Sequence, residues 1–258
     1  MNQGPVLLVI AHGSRDPRHA ATVHALVRRV RALRPGLRVE TGFLDFNAPS
    51  VPRVLERLAA EGEQDVIALP LLLTRAFHAK ADIPAVLHEA AARLPRLRIG
   101  TAGVLGPSPL LLAALQRRLA EAGAGLTPAD RRGTGLVLAS AGSTDPEAIA
   151  VIAEIARELR HTGWCAVRPA FASAALPRTD EAVRALRAEG AERVAVAPYV
   201  IAPGFLPDRI ARGAAEGGAD VLADVIGPAP ELARLVLTRY AEATEERAAA
   251  RLSTVTVA

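Results

Sequence analysis

The stretch VLLVIAHGSRDP at residues 6–17 returns as GLVLASAGSTDP at 135–146, an offset of 129 in a chain of 258 residues. Two further matches keep the same order: LAAEG at 58–62 with LRAEG at 186–190, and GPSPLL at 106–111 with GPAPEL at 227–232. Ordered repeats of this kind predict a duplicated structural unit. The halves read as domains over 1–126 and 127–258, joined through GAGLTPADRRGTG at 123–135, a stretch rich in glycine and helix breakers.

Within each half, short apolar runs alternate with amphipathic stretches. That is the pattern of a parallel sheet covered by helices, so the fold class is α/β with two tandem Rossmann-like domains and a cleft between them. In the first half, strands are predicted over 6–11, 38–44, 65–73 and 97–104, and helices over 20–33, 51–61, 83–94 and 109–122. Strands in the second half fall at 135–141, 165–172, 193–201 and 219–226, with helices at 147–161, 180–188 and 230–243. Cys165, the single cysteine, reads as a packed strand residue.

Charge divides unevenly. The first half carries a surplus of six positive charges and the second a deficit of two, within a total of +4. Aromatic residues are 3% and no dense basic tract occurs, which argues against a nucleic-acid partner. A basic half beside a mildly acidic one suits an anionic small molecule bound by the first. No apolar run approaches the ~20 residues of a membrane span. The start MNQGP lacks a basic n-region, and one cysteine excludes an intramolecular disulfide or a Cys-rich cluster. The expectation is a soluble, cytoplasmic protein, a monomer or weak oligomer, with no membrane partner.

Ligands of open parallel sheets bind beyond the carboxyl ends of the strands. In the first half those ends lead into His12, Gly13, Ser14 and Arg15, into Asp45, and through Arg75 to His78 and Lys80. Two imidazoles and a carboxylate are a plausible site for a divalent transition metal with open positions. Each residue has a plainer reading, as a structural histidine or a turn aspartate. The duplication discriminates between them: His12 aligns with Ala141 and His78 with Leu206, while the surrounding frames persist. Imidazoles required by the fold would be expected in both copies. His19, His24, His88 and His161 fall on predicted helices or their ends and read as surface residues.

The segments VLLVIAHGSRDP, GFLDFNAPSV and PLLLTRAFHAKADIP together resemble the sirohydrochlorin chelatases of the class II chelatase superfamily, in their long two-domain form. The resemblance runs through both halves. It implies insertion of Fe2+ or Co2+ into sirohydrochlorin, for sirohaem or cobalamin synthesis, with the metal as substrate and no permanently bound cofactor. It implies that His12 and His78 hold the metal, with Asp45 as a further ligand or proton relay. Gly13, Ser14, Arg15, Arg75 and Lys80 would meet the carboxylates of the tetrapyrrole. Two positions depart from the family's usual pattern: Asp45 stands where glutamate is usual, and Ala76 where glycine is. A non-catalytic metal or tetrapyrrole carrier would use the same ligands. A histidine phosphatase would want arginine directly before His-Gly, where this chain has Ala11.

Overall fold

The run VLLVIA forms β1 (Val6–Ala11), buried along its whole length. A strand covered on both faces reads as a continuous apolar run, and this one occupies the middle of a parallel sheet. The computed structural model describes residues 4–75 and 81–255. After β1 come α1 (Pro17–Leu33), β2 (Val39–Phe43), α2 (Val51–Ala60), β3 (Asp65–Pro70), α3 (Ile83–Arg93), β4 (Arg98–Thr101) and α4 (Pro109–Glu121). A short α5 (Pro128–Gly133) leads into β5 (Thr134–Ser140), α6 (Pro146–Arg160), β6 (Ala166–Phe171), α7 (Thr179–Ala188) and β7 (Arg193–Tyr199). The chain finishes with α8 (Phe205–Gly217), β8 (Val221–Leu222) and α9 (Pro230–Val255).

Two four-stranded sheets result, ordered β2-β1-β3-β4 and β6-β5-β7-β8, and every pairing between named strands is parallel. In each, the chain leaves the first strand to one side and returns to the other. This creates a switch point beyond the carboxyl ends of β1 and β3, and another beyond β5 and β7. The first sheet packs Val6, Leu8, Ile10, Val66 and Ala68 against Val54, Leu55, Leu58, Ile83 and Leu87 of α2 and α3. The second repeats the layer with Val137, Ala139, Val194 and Val196 against Ala182, Val183, Leu186 and Ile210 of α7 and α8.

The compact units do not part at the 123–135 stretch. One comprises residues 1–106 and 232–258, the other 107–231. The helix that ends each sequence repeat has changed places. In the first unit, the α9 arginine Arg239 donates to the carbonyls of Val104 and Leu105, and the Tyr240 hydroxyl donates to the Pro5 carbonyl at 2.7 Å. In the second unit, Arg118 of α4 donates to the Ile226 carbonyl from two nitrogens, at 3.2 and 3.1 Å. Aligning GPSPLL with GPAPEL pairs Arg118 with Arg239 and Leu105 with Ile226. Each arginine therefore bonds the loop of the other copy.

Several local expectations need correction. α1 begins at Pro17, because Asp16 caps it through the Arg18 amide and proline is tolerated in the first turn. Strand β3 stops at Pro70, β8 has two residues, and α9 continues to Val255. Helices α5 and α8 had no counterpart in the sequence expectation. Cys165 is exposed ahead of β6 rather than packed within it.

Candidate functional site

The loop after β1 is built by Gly13. It has φ +95°, and a Cβ there would lie 1.9 Å from the Asp45 carbonyl oxygen, so only glycine fits. Ser14 Oγ accepts the Asp16 amide at 3.1 Å, and Asp16 caps α1. The second unit makes the same loop. Gly142 has φ +94° with the Ser173 carbonyl 1.9 Å from its notional Cβ, and Ser143 Oγ accepts the Asp145 amide at 3.0 Å.

The facing loop after β2 is duplicated as closely. The Asp45 amide donates to the His12 carbonyl at 2.9 Å, and the Asn47 amide to the Asp45 carbonyl at 2.7 Å. Their counterparts are the Ser173 amide to Ala141 at 3.0 Å and the Ala175 amide to Ser173 at 2.7 Å. Phe46 and Ala174 share a left-handed backbone, φ 60° and 61°, and each loop continues through a cis proline, Ala48-Pro49 or Leu176-Pro177.

With the backbone held constant, the side chains separate scaffold from site. Gly13, Ser14 and Asp16 recur, and they shape the loop in both units. His12, Arg15, Asp45, Phe46 and Asn47 do not; their places are taken by Ala141, Thr144, Ser173, Ala174 and Ala175. His12 is half-buried at the end of β1, its Nδ1 3.2 Å from the Gly13 carbonyl and its ring centroid 6.2 Å from that of Phe46. The Asp45 carboxylate is exposed and accepts the Phe46 amide at 2.8 Å. The Arg15 guanidinium lies over the Phe46 ring, 5.3 Å from its centroid. The side-chain oxygen of Asn47 accepts the Ser14 amide at 2.8 Å, tying the two loops together.

His12, Asp45, Gly13, Ser14 and Arg15 thus gather beyond the carboxyl ends of β1 and β2. Arg75 is exposed in the segment after β3, the strand beside β1. His78 and Lys80 lie outside the described residues. Among the described residues, no cluster of three or more His, Cys, Asp or Glu side chains forms a metal site. No helix among them is long and apolar enough to cross a membrane.

Three side chains escaped the sequence reading. Phe46 and Asn47 directly follow the aspartate of the GFLDFNAPSV segment. His19, read as a surface residue, is half-buried in the first turn of α1. Its Nδ1 is buried with no hydrogen-bond partner among the described residues. Burial pushes its pKa below the ordinary imidazole value, nearby His12 pushes it the same way, and Asp16 opposes them. His24, His88 and His161 are exposed, as expected. In the second unit, Ala148 occupies the place of His19, so the signal lay in the same internal comparison.

Fold and loops define a duplicated α/β protein whose distinctive polar groups collect at the switch point of one sheet. The chain belongs to the CbiX family, whose model matches residues 6–122 and 135–243. A sirohydrochlorin cobaltochelatase of Priestia megaterium is 32% identical over 206 residues, a match spanning 79% of this chain and 66% of that relative. A sirohydrochlorin ferrochelatase of the same organism is 27% identical over 206 residues, 79% of this chain and 76% of that one. Among solved structures, SirB from Bacillus subtilis with Fe3+ superposes with a TM-score of 0.80 at 25% identity, covering 94% of this chain and 96% of SirB.

Proposed function

We propose that the chain inserts a divalent metal ion, Fe2+ or Co2+, into sirohydrochlorin, with the metal site on the first unit. One observation carries the assignment to that unit. The loop after β1 keeps its glycine, serine and capping aspartate in both units, whereas an imidazole follows the strand only in the first. Membership of the CbiX family, with relatives named as cobalto- and ferrochelatases, supports the reaction.

Metallation removes two pyrrole protons from the macrocycle and strips water from the ion. His12 and His78 hold the ion through neutral imidazole nitrogens and leave positions for the incoming pyrrole nitrogens. Asp45, exposed beside His12, accepts a departing proton and passes it to water. The hydrogen bond from Asp45 N–H to the His12 carbonyl keeps the two residues side by side at the ends of their strands. Arg15, Arg75 and Lys80 supply cations for the substrate's carboxylates. Ser14 shapes the loop through its lone pair, so its hydroxyl proton is still available to donate.

The test is metallation of sirohydrochlorin by purified protein under anaerobic conditions, with Fe2+ and Co2+ supplied separately and the rate set against the no-protein rate. Acceleration with at least one metal is expected, and its loss by roughly a hundredfold or more in His12→Ala and in His78→Ala. No acceleration with either metal leaves the carrier reading. Unchanged rates in both variants refute the site.

A further inference from the structure

Phe46 is an aromatic residue that the fold does not call for. It is 51% exposed and sits at φ 60°, a left-handed conformation in which a bulky L-residue is strained. The second unit shows what the fold itself requires there. Ala174 adopts φ 61° in a loop with the same backbone hydrogen bonds and the same cis proline. An exposed ring therefore adds nothing to the turn, and it faces water in a chain where aromatics are only 3% of residues.

Its neighbours give it a role. Its centroid is 6.2 Å from that of His12, with the planes inclined by 35°. The Arg15 guanidinium stands 5.3 Å from the same centroid, and Arg15 is replaced by Thr144 in the second unit. A flat apolar ring, a cation above it and a metal-binding imidazole alongside are complementary to a flat macrocycle with carboxylate side chains. The ring suits the macrocycle's π-face, the guanidinium a peripheral carboxylate, and the imidazole the ion bound for the centre.

We infer that Phe46, with Arg15 stacked on it, is the platform on which the tetrapyrrole is seated beside His12. It is a substrate-positioning residue that sets macrocycle affinity and not metal affinity. The inference rests on the proposed chelatase reading and extends it to a residue outside the ligand set.

Phe46→Ala is a conservative test because the second unit already holds alanine in that conformation. Binding of metal-free sirohydrochlorin, followed by its absorbance, and binding of Co2+ alone are measured on wild type, Phe46→Ala and Phe46→Trp. The expected result is a roughly tenfold rise in the sirohydrochlorin Kd for Phe46→Ala, recovery in Phe46→Trp, and an unchanged Co2+ Kd in all three. Wild-type sirohydrochlorin affinity in Phe46→Ala overturns the inference and leaves the chelatase reading standing. An equal loss of Co2+ affinity also overturns it, by placing the ring's effect on His12. Failure of tryptophan to restore binding excludes a platform role. Absence of sirohydrochlorin binding by the wild type overturns both readings.

Discussion

At the scale of single residues, the two copies act as a built-in substitution experiment. Where a side chain changes while its backbone does not, the change reports on chemistry rather than fold. His19 is such a place, and its counterpart Ala148 is only 3% exposed in the same turn of helix. Burial holds the folded-state pKa of His19 below its ordinary value of 6.5, and the charge of His12 lowers it further. The unfolded chain then binds the proton first. Stability from this residue is complete above the ordinary value, declines as pH falls through it, and levels off below the folded value. His19→Ala is therefore expected to fold normally. Its unfolding free energy should drop less than that of the wild type between about pH 8 and about pH 5. Urea titrations at both pH values read the difference directly; parallel losses in the two proteins would show that His19 does not titrate against a buried surface. The surface carboxylates Glu61 and Glu121, held low by arginines, lose their contributions at more acidic pH and do so equally in both proteins, whereas Asp16, held low chiefly by Arg18 and also by His19, is relaxed slightly in the variant.

At the scale of elements, the exchanged helices give the sharpest expectation. Arg118 and Arg239 each donate to backbone carbonyls through two nitrogens, and their side chains are 20% and 23% exposed. Losing such charge-assisted bonds costs about 2 kcal/mol. Arg239→Ala should weaken protection of β1–β4 amides against hydrogen exchange, and Arg118→Ala that of β5–β8. The reverse pattern would mean that each helix had stayed with its own repeat. Much of the element order was legible because strands covered on both faces carry unbroken apolar runs, as in Val6–Ala11 and at 136–139 within Thr134–Ser140. Helix α8 was not, because glycines do part of its packing. A Cβ on Gly213 would lie 2.9 Å from Thr179 Cβ, and one on Gly217 2.8 Å from Val183 Cβ. The buried face of the helix is Ile210, Gly213 and Ala214, and glycines within and after it read as loop punctuation rather than as a core-facing helix. The exchange of α4 and α9 was illegible for a different reason. Duplicated sheets present equivalent grooves, and an amphipathic helix such as α4, burying Leu111, Ala114, Leu115 and Leu119, carries no mark of which copy it will fill. In the site, His12, Asp45 and Arg15 were legible from their places at strand ends. Phe46 was hidden because an aromatic in a strand-end motif ordinarily signals core.

At the scale of the whole molecule, the repeat boundary and the folding boundary are different cuts through the same chain. Division at residue 126 separates the sequence repeats. It leaves 1–126 with α4 but without α9, and 127–258 with α9 but without α4. The first fragment then lacks the helix that supplies Tyr240, whose side chain is 2% exposed and whose hydroxyl bonds Pro5. The second lacks Leu111, Leu115 and Leu119, all nearly fully buried, and also the arginine that holds the Ile226 carbonyl. Uncovering a helix-sized apolar face in a unit of about this size removes a large part of a net stability that is only ~5–15 kcal/mol. Residues 107–231 instead form a contiguous segment containing all of the second unit. This segment is expected to be soluble and to unfold in a single cooperative urea transition, while 127–258 shows no such transition when expressed alone. Supplying α4 as a covalent extension, by starting the chain at residue 107 and ending it at 231, should account for the whole difference. A cooperative 127–258 fragment as stable as 107–231 would show that α4 is dispensable to the second sheet, and the exchange would then carry no energetic weight.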